Sequence, residues 1–249
     1  MELIQPIFVN QSGSTREAGL GVENKNYSQT DLFERIQKDI DLGVDSFLLF
    51  TTPDTKTWLP TWDWQSEIVN KIKNKFPKIE LIVDVCLCST LPDGHCRVMD
   101  KPDTTAKLLL DLGKKLDKAG ADILAPSDMG ELTVKNLHAE TEKKVMAYVK
   151  WRSVFYSSFR ELANSNPSSE RTYQMNIKNE WDATGTAHKY DSDGADMLLM
   201  KPAYHSLDII GLVKCGTYKP VGMFQVSVSY THLRAHETSL HLVCRLLLE

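Results

Sequence analysis

The sequence predicts an α/β protein of the (β/α)8 TIM-barrel class. Along its 249 residues, short apolar runs alternate with amphipathic stretches of helical length. Strands that are apolar along nearly their whole length are typical of a parallel sheet with helices packed outside it. No glycine-rich phosphate loop follows the first apolar run, which disfavours an open dinucleotide-binding sheet. These observations favour a barrel built from repeated βα units.

A repeated Gly-Xaa-Asp triplet supports the βα repeat. Its copies occupy residues 43–45, 120–122 and 194–196, at intervals of 77 and 74 residues. In each copy the glycine can end a helix in the left-handed conformation, after which the chain enters a strand. Each interval therefore has the length of two βα units.

Hydrophobic periodicity places seven strands and four helices. The strands are expected at residues 3–9, 46–50, 81–87, 123–125, 145–149, 197–200 and 222–226. The helices are expected at 31–42, with Thr30 as N-cap, at 62–76, at 104–119 and, with a weaker pattern, at 131–144. The polar stretch 164–193 has a poor helical pattern, and residues 164–171 are expected to form a surface loop that acts as a mobile lid.

The composition argues against several classes of function. A formal net charge of −4 does not indicate the excess positive charge that binds nucleic acid or an anionic membrane surface. No apolar run approaches the ~20 residues that cross a bilayer, and the N-terminus lacks the features of a secretion signal. We therefore expect a cytoplasmic location, where clustered cysteines are more often metal ligands or catalytic groups than disulfides.

Three of the five cysteines fall within eleven residues. Cys86 and Cys88 follow the apolar run 81–83, and Cys96 returns after a glycine-bearing loop. Three thiolates can wrap a soft cation and leave one position of a tetrahedral zinc open, as a catalytic site requires. The alternative is a set of buried or redox-active thiols.

Polar residues collect at the predicted carboxyl ends of the strands, where active sites of parallel barrels lie. Two of them are lysines, Lys150 and Lys201, and a lysine desolvated at such a site has a lowered pKa and can attack a ketone to form a Schiff base. Lys201 follows an apolar Met-Leu-Leu-Met run, whereas spacing alone leaves a solvated role open for Lys150. Arg160 is either a carboxylate clamp or an ordinary helix-surface residue.

The chain resembles the porphobilinogen synthase (5-aminolevulinate dehydratase) family of the zinc-cysteine type. The most specific matches are Val83-Asp-Val-Cys-Leu-Cys88 and the strand end Met200-Lys-Pro202. The matching segments appear in family order at residues 5–9, 83–88, 94–96, 119–129, 155–160, 173–175, 194–202, 207–209 and 225–227.

The resemblance implies a lyase that condenses two 5-aminolevulinate molecules to porphobilinogen with loss of water, in tetrapyrrole (haem) biosynthesis. It implies a catalytic zinc, magnesium as an allosteric ion, and a homo-octamer. Lys201 and Lys150 match the lysines that form Schiff bases with the two substrates. The other matching positions are Cys86, Cys88 and Cys96 for zinc, and Arg160, Gln174, Arg171, Ser227, Ser127 and Asp84 around the substrates.

The chain departs from the family pattern in several places. The position of the second carboxylate-binding arginine aligns with Glu170, one step before Arg171, and the spacing that leads to Lys150 is one residue short. The long N-terminal arm that wraps a neighbouring subunit is not found before the first strand. Residues 1–227 are expected to form an incomplete barrel domain, and residues 228–249 a non-homologous tail from a sequencing or frameshift artefact, so that strand eight and the final helix are missing.

Two other functions stay open at this point. A Schiff-base barrel aldolase or lyase would share Lys201 but has no obvious use for three thiolates. A non-catalytic metal-binding paralogue would account for the departures at Lys150 and Glu170.

Overall fold

A computed structural model describes residues 2–17, 24–176, 179–203, 206–226 and 246–248. Ser227 and most of the predicted tail therefore lie outside the described residues. The strands are β1 (Glu2–Asn10), β2 (Arg16–Glu17), β3 (Lys25–Tyr27), β4 (Ser46–Thr52), β5 (Glu80–Val85), β6 (Ile123–Pro126), β7 (Lys144–Lys150), β8 (Met197–Lys201), β9 (Val221–Phe224) and β10 (Leu246–Leu248). The helices are α1 (Gln29–Asp41), α2 (Asp63–Lys75), α3 (Pro102–Ala119), α4 (Thr133–Glu140), α5 (Ser157–Leu162), α6 (Glu180–Ser192) and α7 (Leu207–Gly216), with a 3-10 turn at Val154–Tyr156.

The sheet closes into a barrel, which confirms the predicted fold class. Strands β1 and β4 to β9 pair in parallel in chain order, and β10 pairs with both β9 and β1. The short strands β2 and β3 extend the edge beside β1. All seven predicted strands are present, with ends that differ by up to two residues.

The expected gap of a missing strand eight is filled in an unexpected way. Leu246–Leu248 runs antiparallel to both neighbours, pairing with Glu2–Ile4 of β1 and with residues 222–224 of β9. Unpaired N–H and C=O groups along two strand edges accept any extended segment that reaches them. The barrel in the described residues is therefore closed by three residues of the predicted tail.

Three helix predictions need correction. The helix expected at 131–144 ends at Glu140, and Lys144 already belongs to β7. Helix α1 begins after Ser28, whose side chain accepts the Asp31 N–H at 3.2 Å, so Ser28 rather than Thr30 is the N-cap. Helix α6 occupies a stretch whose helical pattern was read as poor. Its buried face consists of Ala183, Ala187 and Tyr190, and two alanines give only a weak hydrophobic signal.

Strand alternation decides which side chains enter the barrel. In β7, Val145, Ala147 and Val149 pack towards the helices, whereas Met146 and Tyr148 belong to the inner cluster of the barrel. Because side chains alternate with a period of two, Lys150 points to the same side as Met146 and Tyr148. The structure thus directs the last residue of this strand into the barrel mouth.

No helix in the described part of the chain has the length and apolar character needed to cross a membrane.

Two helical glycines provide a matched test of packing between α3 and α4. A Cβ at Gly113 would lie 2.2 Å from Leu137 Cδ2, a fully buried side chain, whereas a Cβ at Gly185 of α6 would meet no heavy atom within 4 Å. Alanine in place of an exposed helical glycine stabilises by about 0.5–1 kcal/mol. We expect Gly185→Ala to show this gain and Gly113→Ala to lose about 1–3 kcal/mol through overpacking.

Urea unfolding followed by circular dichroism measures both free energies. Equal effects of the two substitutions would show that α3 and α4 do not pack as described.

Candidate active site

A pocket opens at the carboxyl ends of the barrel strands. It brings together nine residues that the sequence analysis selected, together with Phe50, Thr51, Ser89, Tyr156, Phe159 and Ala163. The nine are Asp84, Cys86, Cys88, Ser127, Lys150, Arg160, Arg171, Gln174 and Lys201. Cys96 does not line the pocket itself but contacts Lys150, which does. Ser227 lies outside the described residues.

The two lysines are neighbours in the sheet. Lys150 and Lys201 end β7 and β8 at paired register positions, and both are buried. Lys150 Nζ donates a hydrogen bond to the Ser127 carbonyl and lies 3.6 Å from Cys96 Sγ. The Lys150 amine therefore lies against polar groups of the pocket.

Lys201 lies among aromatic rings. Its Nζ is 3.3 Å from the ring centroid of Phe159 and 3.7 Å from that of Phe224, and the Phe50 ring lies farther off, at 5.3 Å. The negative face of such rings stabilises a buried cation. Tyr156 supports the strand end by donating its hydroxyl to the Lys201 carbonyl at 2.9 Å.

Three thiols form a compact group beside Lys150. Cys86, Cys88 and Cys96 have all their sulfur atoms within 4.8 Å of one another, and Cys86 Sγ lies 3.3 Å from Cys88 Sγ. Sulfur ligands about 2.3 Å from a tetrahedral metal lie about 3.8 Å apart. Small side-chain rotations would give this spacing, so the three residues fit a thiolate-bound metal ion.

The three thiols differ in acidity. Burial raises the pKa of Cys86 well above its ordinary value. The hydrogen bond with Cys86 lowers the pKa of Cys88, but the hydrogen bond with Cys96 and burial outweigh it and raise that pKa to about 11. Hydrogen bonds from Cys86 and Cys88 hold the pKa of Cys96 well below its ordinary value. Of the three thiols, Cys96 is the one whose pKa is lowered.

Asp84 lies on the inward side of β5 at the pocket floor. Burial raises the pKa of its carboxyl to about 6, against the opposing charge of Lys150 and a hydrogen bond from Ser127. Among the described residues its Oδ1 is buried without a hydrogen-bond partner. A carboxyl with this pKa can give up and take back a proton near neutral pH.

Two arginines and a glutamine form the opposite wall. Arg171 Nη2 donates to the Gly94 and Ser165 carbonyls at 2.6 and 2.7 Å, and the Arg160 guanidinium lies 5.1 Å from the Tyr156 ring centroid. Burial, followed by the charge of Arg171, lowers the pKa of Arg160. Two guanidiniums in one desolvated pocket are suited to bind an anionic group such as a carboxylate.

Glu170, which takes the place of a family arginine, turns away from the pocket. Its side chain is exposed and pairs with Arg152 at 2.7 Å. Arg171, one residue later, is buried and lines the pocket instead. The pocket therefore contains an arginine one residue after the position that the resemblance predicts, and its role as a carboxylate ligand stays a prediction.

The loop at 164–171 folds over residues 86–96, the segment that carries the three thiols and is called the cysteine loop. Ser168 N–H donates to the Asp93 carbonyl at 2.8 Å, and a Cβ at Gly94 would lie 2.1 Å from the Asn166 carbonyl oxygen. Only glycine allows this backbone approach, and its φ of +68° favours glycine as well. The loop covers one side of the pocket, and its motion as a lid stays a prediction.

The aromatic wall around Lys201 was not among the predicted site residues. Phe50 and Phe224 occupy inward positions at or near the ends of β4 and β9, so the two-residue period could have indicated them. Phe159 and Tyr156 come from the segment after β7, where no strand pattern gives a direction. His95, beside Cys96, is also buried, with its Nε2 3.0 Å from Ser169 Oγ.

Comparisons with known proteins agree on one family. A family model described as Delta-aminolevulinic acid dehydratase matches residues 1–243. The delta-aminolevulinic acid dehydratases of Halalkalibacterium halodurans and Bacillus subtilis are 32% and 30% identical over 253 residues, covering 94% of this chain and 77% and 78% of their own lengths. The crystal structure of delta-aminolevulinic acid dehydratase (porphobilinogen synthase) from Toxoplasma gondii, in complex with the reaction product porphobilinogen, matches with a TM-score of 0.86. It is 27% identical, and the match covers 93% of this chain and 72% of that one.

Removal of one thiol tests the metal site. We expect Cys96→Ala to lower zinc affinity by at least about 100-fold, because two thiols cannot replace three ligands. Cys215→Ala removes an exposed cysteine outside the site and serves as the control. Competition with a chromophoric chelator measures both affinities. Equal zinc binding by the two variants would rule out the three-thiol site.

Asp128 predicts a pH dependence of stability. Burial raises its pKa to about 6 from an ordinary value of 3.8, against a hydrogen bond from Thr133. Because the folded state holds this proton more tightly, the stabilising effect is complete below pH 3.8 and disappears as pH rises through 6. Two pKa units correspond to about 3 kcal/mol.

We expect Asp128→Asn to abolish this loss of stability. The difference in unfolding free energy between variant and parent should shift in favour of the variant by about 2–3 kcal/mol between pH 4 and pH 7. Urea titrations at several pH values measure this difference. A difference that does not change with pH would contradict the prediction.

Proposed function

The chain belongs to the delta-aminolevulinic acid dehydratase family, and we propose that its pocket condenses two molecules of 5-aminolevulinate into porphobilinogen with loss of two molecules of water. The observation that carries this proposal is the pairing of two buried lysines, Lys150 and Lys201, on adjacent strands beside three thiols. The reaction joins two ketones that each carry an amine and a carboxylate. A pocket with two amine nucleophiles and two guanidiniums suits both features of the substrates.

Lys201 is proposed as the nucleophile for the substrate that supplies the propionate side of the product. Its uncharged amine attacks the ketone carbon, and the carbonyl oxygen leaves as water when the Schiff base forms. The rings of Phe159 and Phe224 then face a protonated Schiff base, and this contact stabilises its positive charge. The aromatic wall also keeps water from hydrolysing the adduct.

Lys150 is proposed as the nucleophile for the second substrate. Its contacts with Ser127 O and Cys96 Sγ hold the amine at the side of the pocket that carries the thiols. Arg160, Gln174 and Arg171 are proposed to bind the carboxylate of this substrate. The side-chain donors Arg160 Nε and Arg171 Nε are buried without a partner among the described residues, and a carboxylate could accept a hydrogen bond from each of them.

Proton transfer between the two substrates is assigned to Asp84 and Ser127. The charges of both lysines lower the pKa of Asp84, whereas burial raises it, to about 6. At this pKa the carboxyl can accept a proton from one group and return it to another. Ser127 donates a hydrogen bond to this carboxyl and so helps to hold its orientation. Ser227, proposed to bind the carboxylate of the first substrate, lies outside the described residues.

Zinc is the metal proposed for Cys86, Cys88 and Cys96, because thiolates select soft or borderline cations. When bound, zinc supplies a positive charge that polarises a carbonyl or hydroxyl oxygen of the second substrate. A Schiff-base aldolase would have no use for this donor set, which argues against that alternative. The allosteric magnesium and the homo-oligomer stay predictions.

Substitution of the proposed nucleophile tests the function. We expect Lys201→Met to lower kcat by at least about 10³-fold, because a methionine cannot form the Schiff base. Sodium borohydride with 5-aminolevulinate should label Lys201 in the parent protein, and peptide mapping should find no label at position 201 in the variant. The control is Lys219→Met, which removes a partly exposed lysine 3.9 Å from Asp191.

Two results would contradict the assignment. Porphobilinogen formation by the Lys201→Met variant at the parental rate would place the nucleophile elsewhere. A folded, zinc-loaded parent protein that forms no pyrrole from 5-aminolevulinate would refute the proposed reaction.

A further inference from the structure

Arg97 lies directly after the third thiol and connects three parts of the structure. Its Nη2 donates to the carbonyls of Asp128 and Met129 at 3.0 and 2.9 Å. Its guanidinium carbon lies 4.0 Å from the centroid of the Tyr173 ring, which it covers. Arg97 therefore joins the cysteine loop, the turn after β6 and the segment that carries the pocket arginine and glutamine.

The turn that Arg97 holds is strained. Met129 has a φ of +61°, in the left-handed region that a side chain disfavours by about 1–2 kcal/mol. Such a conformation persists only where surrounding contacts fix it. The hydrogen bond from Arg97 to Met129 O is one of these contacts, and it lies two residues from Ser127.

The contacts of Arg97 complete a ring around the thiol and the second lysine. Cys96 N–H donates to the Tyr173 hydroxyl at 2.8 Å, and Cys96 Sγ lies 3.6 Å from Lys150 Nζ. Lys150 in turn donates to Ser127 O, in the segment whose next two carbonyls bind Arg97. From Arg97, the ring passes through Tyr173, Cys96, Lys150 and Ser127 and returns to Arg97.

We propose that Arg97 is a positioning residue for the reaction and fixes the Cys96 thiol against the Lys150 amine. This inference rests on the proposed function, in which the thiol is a metal ligand and the amine is a nucleophile. Without Arg97, the cysteine loop and the turn after β6 lose the two hydrogen bonds that this side chain makes between them. The sulfur and the amine then vary independently, so metal binding and Schiff-base formation at Lys150 both weaken.

Only an arginine has the shape that this position requires. Its planar guanidinium lies flat against the Tyr173 ring and presents N–H groups in the same plane to two carbonyl oxygens. A lysine ammonium is a compact charge that cannot keep the stacked contact and both hydrogen bonds. We therefore expect Arg97→Lys to restore little of what Arg97→Met loses.

The experiment compares Arg97→Met and Arg97→Lys with Arg16→Met, which removes an exposed arginine paired with Asp54. Zinc affinity is measured by chelator competition, and lysine labelling by borohydride with 5-aminolevulinate followed by peptide mapping. Both Arg97 variants should lose about 10- to 100-fold in zinc affinity, the usual effect of removing a group that orients a metal ligand. Labelling at Lys150 should fall at least about 10-fold, whereas labelling at Lys201 should stay at the parental level.

Tyr173→Phe provides a second variant if the Arg97 variants fail to fold. It keeps the ring under Arg97 but removes the hydroxyl that accepts the Cys96 N–H. The expected result is again weaker zinc binding and less Lys150 labelling, with Lys201 labelling unchanged.

Three outcomes would overturn the role of Arg97. Zinc affinity and Lys150 labelling within twofold of the parent would show that the ring does not position either group. A loss of zinc affinity alone would separate the thiol from the amine. An equal loss of labelling at Lys150 and Lys201 would indicate general damage to the fold. The zinc measurement needs no turnover, so a parent protein without pyrrole synthesis would refute the proposed function without deciding this result.

Discussion

In a closed barrel of parallel strands, side chains alternate between the helical layer and the interior. This constraint fixes the direction of Lys150 and Lys201. They form the last residue pair between two adjacent strands, and both side chains point inward. The same alternation brings Asp84 of β5 to the same mouth, and the chain that leaves β5 there carries the three thiols. The loops then add the arginines and the aromatic wall. One geometric rule thus places amines, carboxyl and thiols within a single pocket, and the chemistry depends on the barrel staying in register.

The parts of the site that belong to strands could be predicted from sequence, and the parts that belong to loops largely could not. An apolar run that ends in a lysine, as at Lys201, carries both its secondary structure and its direction in the residues themselves. Arg171 shows the limit of alignment, because it lines the pocket whereas Glu170, at the aligned position, pairs with Arg152. Helix α6 was missed because alanines bury a face without giving a strong amphipathic pattern. Arg97 gave no signal, because its partners are backbone carbonyls far away in sequence.

The closure of the barrel shows how a missing parallel strand differs from a missing site. Leu246–Leu248 supplies backbone partners to β9 and β1, and its antiparallel direction was outside any expectation from a βα repeat. Backbone pairing depends little on residue type, because every residue except proline has the same N–H and C=O groups. The pocket residues between β5 and β8 keep their own parallel neighbours whatever lies between β9 and β1. The core of the candidate site is therefore built from the part of the barrel whose pairing follows the repeat.

The concentration of ionisable groups at the mouth is costly in free energy unless the groups compensate one another. Burial raises the pKa of Asp84, and the charges of Lys150 and Lys201 act in the opposite direction. Cys96 Sγ lies 3.6 Å from the Lys150 amine, and the positive charges of Arg171 and Lys150 act to lower the pKa of this thiol. Such a network loses more than a single contact when one member moves, because each remaining charge stays buried without its partner. This argues that the packing contacts around the mouth, including the stacking of Arg97 on Tyr173 and the glycine contact between the cysteine loop and the loop at 164–171, hold the charges at fixed distances.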